Sequence, residues 1–184
     1  MIISITGLPG AGKTTVRNAL ADALGLKRYS MGDVFGQLAL KYGMTIGEFN
    51  TWALGKPEID HEVDNYQTEI ASREDNFIID GRLSWHFIPQ SFKVFLDVAP
   101  AEAAKRIYQA KLAQPESRSD EPVYTSIAEV EAAIRARLLA DDARYQALYG
   151  VSYLDRANYD LVIDTTKTPA NQVVEAILAA LKSH

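Results

Sequence analysis

The stretch Gly7-Leu8-Pro9-Gly10-Ala11-Gly12-Lys13-Thr14 limits what this chain can fold into more than any other. It meets every fixed position of the phosphate-binding pattern G-x-x-x-x-G-K-[ST]. The pattern works only between a strand and a helix. Met1–Thr6 is a short apolar run rich in β-branched residues, which predicts a buried strand. Thr15–Leu24 carries Val16, Leu20, Ala23 and Leu24 at helical spacing, with Gly25 placed as a stop. In that setting the glycines let successive backbone N–H groups turn inward around phosphate oxygens, and the helix N-terminus adds its positive dipole end. Lys13 would reach the β/γ-phosphates of a nucleotide, and the Thr14 hydroxyl would ligate Mg²⁺. The alternative is an ordinary glycine-rich turn before a helix. So full a match arises by chance in a chain of this length on the order of one per cent of the time or less.

The rest of the chain alternates strands with helices. Leu26–Ser30, Asn76–Gly81, Phe92–Val98 and Leu161–Asp164 read as four further strands. Between them, a helix starts near Asp33, for which that aspartate is a good N-cap, and ends before Gly43. Phe49, Trp52 and Leu54 suggest a short helix, and Pro57 opens another that runs to about Ser72. A helix over Ala101–Leu112 follows Pro100. Ser126 with Glu129 is a capping-box signature for a long helix reaching Gly150. Its apolar stripe is Ile127, Val130, Ile134, Leu138, Tyr145 and Leu148. Pro169–Leu181 closes the chain as an amphipathic helix. This order predicts an α/β fold with a parallel five-stranded sheet and helices on both faces. Ligands in such sheets bind beyond the carboxyl ends of the strands. The phosphate loop, Asp33, Asp80-Gly81-Arg82 and Asp97 should gather there.

Composition narrows the classes of function. The chain of 184 residues suits one domain with insertions. Its net charge of −5 argues against an extended nucleic-acid surface. No apolar run approaches the roughly 20 residues of a membrane span, and no signal peptide is expected. With no cysteine there is no disulfide and no cysteine-based zinc site. A cytoplasmic monomer acting on small molecules, without nucleic-acid or membrane partners, is the expectation. Ala113–Tyr124 carries two prolines and many charges, with no aliphatic residue before Val123 after its first position, which predicts a solvated loop.

Several segments together point further than the loop alone. They are Gly7–Thr15, Tyr29-Ser30-Met31-Gly32-Asp33-Val34-Phe35, Gly43-Met44 through Glu48-Phe49, Pro57-Glu58-Ile59-Asp60 and Ile79-Asp80-Gly81-Arg82-Leu83. Arg144-Tyr145 to Tyr149-Gly150 and Tyr159–Thr165 extend the series. In these segments the sequence resembles the nucleoside monophosphate kinases, closest to the archaeal-type cytidylate kinases, over nearly its whole length. The resemblance implies a P-loop NTPase fold in a single kinase domain over residues 1–184. It also implies a helical acceptor-binding insert at about 33–72 and a lid at about 113–137. The implied reaction moves the γ-phosphoryl of MgATP to CMP or dCMP, giving the diphosphate and ADP. The sequence departs from the family where Gly36 replaces an arginine that usually grips the monophosphate, and where Ala140 replaces a serine. The loop around Gln114–Tyr124 is also longer than usual.

Each candidate residue has a bland reading beside the functional one. The cofactor-binding set is Gly7, Leu8, Pro9, Gly10, Ala11, Gly12, Lys13, Thr14 and Thr15. Arg137 and Arg144 lie seven positions apart on a predicted helix, on one face and about 10 Å apart. They could close over phosphates with Lys13 and Arg82 as the catalytic set, or pair with Asp141 as surface ion pairs. Arg82 follows a strand end, where a guanidinium fork can meet the acceptor phosphate or stand in solvent. Ser30, Asp33 and Arg82 form the substrate-binding set, although Ser30 could simply satisfy backbone. Thr14, Asp33 and Asp80 are the metal set, with the two aspartates acting through water or serving only caps and turns. Arg118 belongs to the expected lid. Two other readings stand beside the leading one: a kinase for AMP or a small hydroxyl compound, and a nucleotide-binding regulator with weak transferase activity.

Overall fold

Strand β1 (Ile2–Gly7) takes the centre of the sheet because every residue from Ile3 onward is buried, which only a strand covered on both faces allows. The computed structural model describes residues 1–44, 48–49, 52, 56–113 and 124–183. In it β2 (Lys27–Ser30), β3 (Phe77–Asp80), β4 (Phe92–Asp97) and β5 (Leu161–Asp164) complete one sheet in the order β2-β3-β1-β4-β5. Every pairing is parallel. The register sets Ile5 beside Asp80 and Gly7 beside Leu96, so the carboxyl ends of the strands share one edge.

Alternation along the strands splits the core in two. On one face Ile3, Ile5, Ile78, Val94 and Leu96 pack against Val16 and Leu20 of α1 (Lys13–Leu24), and against Val173 and Ile177 near the C-terminus. On the other face Phe77 and Ile79 meet Met31 of α2 (Met31–Lys41) and Ile70 of α3 (Pro57–Arg73). Phe95 packs there with Trp85 of the short α4 (Ser84–Phe87), and with Tyr153 and Tyr159. Each fully buried side chain of this size is worth about 1.5–3 kcal/mol against exposure. Further α-helices among the described residues are α5 (Pro100–Ala113), α6 (Ile127–Tyr149) and α7 (Ala170–Leu181), the last carrying Val173 and Ile177. Ala104 and Ile107 of α5 meet Val130 of α6.

The segment between β2 and β3 has a small core of its own. Ala39, Phe49 and Ile59 are buried together, with Phe35, Leu38, Met44 and Trp52 around them. A buried polar chain joins this insert to α6. Ser84 Oγ donates to Gln67 Oε1 at 2.6 Å, and Gln67 Nε2 donates to Asp64 Oδ1 at 3.3 Å. The Tyr149 hydroxyl, on the last residue of α6, donates to Asp64 Oδ2.

Three expectations change. Helix α2 begins at Met31, not Asp33. Ser30 is extended, with φ −132°, and its Oγ accepts the Asp33 N–H at 3.4 Å, so Ser30 is the cap and Asp33 the third helical residue. The stripe of α6 is mostly half-buried or exposed: Val130 is fully buried but Ile127 is 40% exposed. The helix meets α5 near its start and the Tyr153 cluster only through Leu138, Tyr145 and Tyr149. Helix α4 was not expected. It is one turn long, and no apolar periodicity can mark so short an element. Leu54, Arg118 and the loop from Gln114 to Val123 lie outside the described residues.

Candidate active site

The loop between β1 and α1 is shaped by two glycines with positive φ. Gly10 has φ +78°, and a Cβ there would stand 2.9 Å from the Ala103 backbone of α5. Gly12 has φ +87° and open space around its Cβ position. It is the N-cap of α1, and no side chain caps that end, so the first helical N–H groups point outward unclaimed by a cap. Thr14 and Thr15 are exposed on the first turn. Lys13 Nζ folds back to donate to the carbonyls of Gly7 at 2.8 Å and Leu8 at 3.0 Å. Those two carbonyls hold the ammonium at the mouth of the loop. Gly7, Leu8, Pro9, Gly10, Ala11, Gly12, Lys13, Thr14 and Thr15 therefore form one continuous cradle whose open side is lined by backbone donors and one cation.

Beyond the neighbouring strand ends, Asp80 is 9% exposed and its Oδ1 meets Arg17 Nη1 of α1 at 2.5 Å. Thr6 Oγ1 donates to the Gly81 carbonyl at 2.9 Å and fixes the turn that follows. Asp97 is held at Oδ2 by Arg156 through Nη2 at 2.8 Å and Nε at 3.1 Å. Asp33 is exposed at the start of α2 and Ser30 is half-buried beneath it. Mg²⁺ takes hard oxygen donors, keeps several waters and shares its shell with substrate phosphates. One exposed hydroxyl, Thr14, with Asp33 and the Oδ2 of Asp80 is a donor set of that kind. Among the described residues no three acidic or imidazole side chains gather as an all-protein cage.

The predicted arginines come together on one carboxylate. Arg82 Nη2 lies 2.9 Å from Asp141 Oδ2, Arg144 Nη2 lies 3.4 Å from Asp141 Oδ1, and Arg137 Nε is 3.9 Å from Oδ2. Arg144 also donates to the Tyr145 hydroxyl at 3.1 Å. Burial is the largest influence on Arg82 and works against its charge, but Asp141, with Tyr145 and Tyr153 behind it, raises the guanidinium above its usual range. Burial pushes the Tyr153 phenol up to about 12 against the pull of Arg82, so it stays neutral at any ordinary pH. The ion pairs with Asp141 and a location beside the strand ends coexist in this arrangement.

Sequence reasoning missed Arg106 and Arg17. Arg106 donates to the carbonyls of Thr165 at 2.8 Å, Thr166 at 3.1 Å and Gly10 at 3.3 Å, and pairs with Glu102 at 2.9 Å. It lines a cleft of about 190 Å³ outside the phosphate loop, with Gly12, Thr15, Val16, Thr165 and Val173. Its one signal in the sequence is the i, i+4 spacing from Glu102, which reads as an ordinary helix-surface pair. Arg17 sits 63 positions from Asp80 and carries no local signal at all.

A family model described as an AAA domain matches residues 3–124. The cytidylate kinase of Archaeoglobus fulgidus is 37% identical over 183 residues, covering 99% of this chain and 95% of that protein. A Lacinutrix mariniflava protein named S-adenosylmethionine-dependent nucleotide dehydratase is 39% identical over 178 residues, covering 96% of this chain and 35% of that protein. The chain thus spans about a third of that relative's length. In fold, the chain resembles the shikimate kinase of Bacteroides thetaiotaomicron, with a TM-score of 0.64 at 18% identity, over 99% of this chain and 98% of the other. An end-to-end match above a third identity, on a sheet order and loop geometry that a nucleotide kinase requires, is membership: the chain belongs to the cytidylate kinase family.

Proposed function

We propose that this protein transfers the γ-phosphoryl group of MgATP to CMP, with dCMP as the related acceptor, giving the diphosphate and ADP. The observation that carries the reading is the meeting, at one edge of the sheet, of an uncapped helix N-terminus with its lysine and the arginines held on Asp141. Phosphoryl transfer asks a protein mainly for positioning, for positive charge around the transferring group and for exclusion of water.

The backbone N–H groups of Gly10 and of Gly12 to Thr15 hold the donor phosphates, and Lys13 leaves the Gly7 and Leu8 carbonyls to follow the transferring group. The cleft beside Arg106, with Val16 and Val173 as apolar walls, takes the donor base. Arg82 grips the acceptor phosphate as a planar fork. Arg137 and Arg144 face the group in flight. Thr14, with Asp33 and Asp80 through water, would hold Mg²⁺, which would supply neutralising charge to the phosphates. Ser30 lies at the entrance of the acceptor insert over residues 33–72, and residues 113–137 form the lid. No described helix is long and apolar enough to cross a membrane, which fits substrates met in water.

The test is ADP release across a panel of nucleoside monophosphates and small alcohols, for the wild type and Lys13→Ala. CMP should be the best acceptor, and Lys13→Ala should lose about 10²–10³-fold in kcat, the scale of one transition-state donor. A variant within a few-fold of wild type would sink the assignment of the loop, and a panel led by another acceptor would sink the cytidylate reading.

A further inference from the structure

Asp141 is shared among three cations and serves them unevenly. Three guanidinium groups from two parts of the chain surround it: Arg82 from the turn after β3, and Arg137 and Arg144 from the helix that carries Asp141 itself. Its side chain is 17% exposed. Although Arg82 stands 2.9 Å from Oδ2, that oxygen is buried and makes no hydrogen bond, because the approach is off the line such a bond needs. The Tyr153 hydroxyl, on the ring that Arg82 overlies at 6.0 Å, is also buried, and Arg82 stands against it without a well-aligned hydrogen bond. The three guanidinium groups gather where the family reaction needs cations, and the pairing of Arg82 with Oδ2 is imperfect in geometry.

We infer that Asp141 is a positioning residue that gathers Arg82, Arg137 and Arg144 into one preassembled receptor and gives them up to substrate phosphate. The carboxylate exchanges affinity for geometry. While it holds the three forks, it competes with phosphate for them, so anion binding is weaker than bare arginines would allow. In return the forks enter the reaction already oriented, which is where a rate advantage arises. The geometry of Oδ2 suits exchange: a carboxylate with ideal bonds to all three would be costly to displace. Asp141 takes no part in bond making, and its whole effect passes through the arginines.

This assignment rests on the kinase reading for its rate arm, and the experiment separates the two. Asp141→Asn keeps shape and removes charge, while Asp141→Glu restores the charge on a longer stem. For wild type and both variants, kcat with CMP and ATP is measured, and the affinity for CMP and for inorganic pyrophosphate is measured by calorimetry. Asp141→Asn should lower kcat at least tenfold while CMP and pyrophosphate bind at least threefold more tightly. Asp141→Glu should recover at least half of the lost rate on a logarithmic scale. A kcat within threefold of wild type in Asp141→Asn would overturn the inference, and so would weaker anion binding in either variant, which marks a purely structural residue. A wild type that turns over no CMP would remove the cytidylate reading alone. The pyrophosphate affinities then decide the role of Asp141: tighter binding in Asp141→Asn upholds it, and unchanged or weaker binding overturns it.

Discussion

Gly10 and Gly12 share a left-handed backbone but serve it differently. At Gly12 the only obstacle to a side chain is φ +87°, since the space around its Cβ position is open. At Gly10, with φ +78°, a Cβ would also meet the Ala103 backbone at 2.9 Å. The loop is therefore locked to α5 at one glycine and free toward the ligand at the other. Gly12→Ala should cost about 1–2 kcal/mol, the penalty of a left-handed non-glycine residue. Gly10→Ala should add about 1–3 kcal/mol of overpacking, because backbone cannot retreat as a side chain can. Thermal melting checks the order. At about 2–4 °C per kcal/mol for a chain of this size, Gly10→Ala should melt clearly below Gly12→Ala, and equal melting points would show that α5 yields freely. The same scale explains the Arg17–Asp80 pair. Breaking one member of a buried pair leaves an uncompensated charge, so Asp80 has a task in the fold whether or not it also meets metal through Oδ2.

Among the elements, α6 is fastened at its start by a cap that titrates. Ser126 Oγ accepts the Glu129 N–H at 3.3 Å, and Glu129 reaches back to the Thr125 N–H at 2.7 Å and hydroxyl at 2.8 Å. The reciprocal bond lands one residue before the cap that the Ser126/Glu129 pattern implies. The Thr125 backbone N–H, ahead of its hydroxyl, holds the Glu129 carboxyl below its usual range. A depressed folded pKa contributes stability that is fully present above the unfolded value of 4.5 and is lost as pH falls through the folded value. Glu129→Gln should therefore melt below wild type at neutral pH, with the two curves converging only in acid, as pH falls from 4.5 through the lowered folded value. A gap that persists in acid would mean the carboxylate charge is not what matters. This cap, the phosphate loop and all five strands were legible in the sequence because each is encoded within a few neighbouring residues. The hub at Asp141 was half legible: Arg137 and Arg144 share its helix and were read as its partners, but Arg82 reaches it only through the fold. Arg106 to Thr165 spans 59 positions, and a backbone carbonyl as partner leaves no trace in the side-chain sequence. The Asp33 cap was misread because Ser30 and Asp33 are both good cap residues, and only the backbone angle at Ser30 decides between them.

For the whole molecule, the Tyr149–Asp64 bond ties the insert between β2 and β3, which we propose binds the acceptor, to the helix that carries Arg137 and Arg144. Removing the hydroxyl leaves Asp64 Oδ2 buried without that donor, which costs about 1–3 kcal/mol. Tyr149→Phe should lower the melting point accordingly while each nucleotide, bound singly, keeps its affinity within about twofold. The coupling between CMP and an ATP analogue should fall toward unity from the roughly 5–150-fold range typical of linked sites, read by calorimetry with and without the second ligand. Undiminished coupling would show that the two sites communicate by another route. Mechanically, α6 is a beam supported at both ends. Its 23 residues span about 34 Å. Near the start Val130 bears on α5, and at the far end Tyr149 is pinned to α3. Between these ends Leu138 and Tyr145 rest on the Tyr153 cluster and Asp141 is held to Arg82, so the beam rocks on its bed and does not flap. Were it to tilt about Val130, a shift of the insert felt at Tyr149 would reach Arg144 at roughly three-quarters of its size and Arg137 at about one-third, by their distances along the axis. The two arginines would then be geared at different ratios to one handle, and the handle is the insert that we propose takes hold of the acceptor.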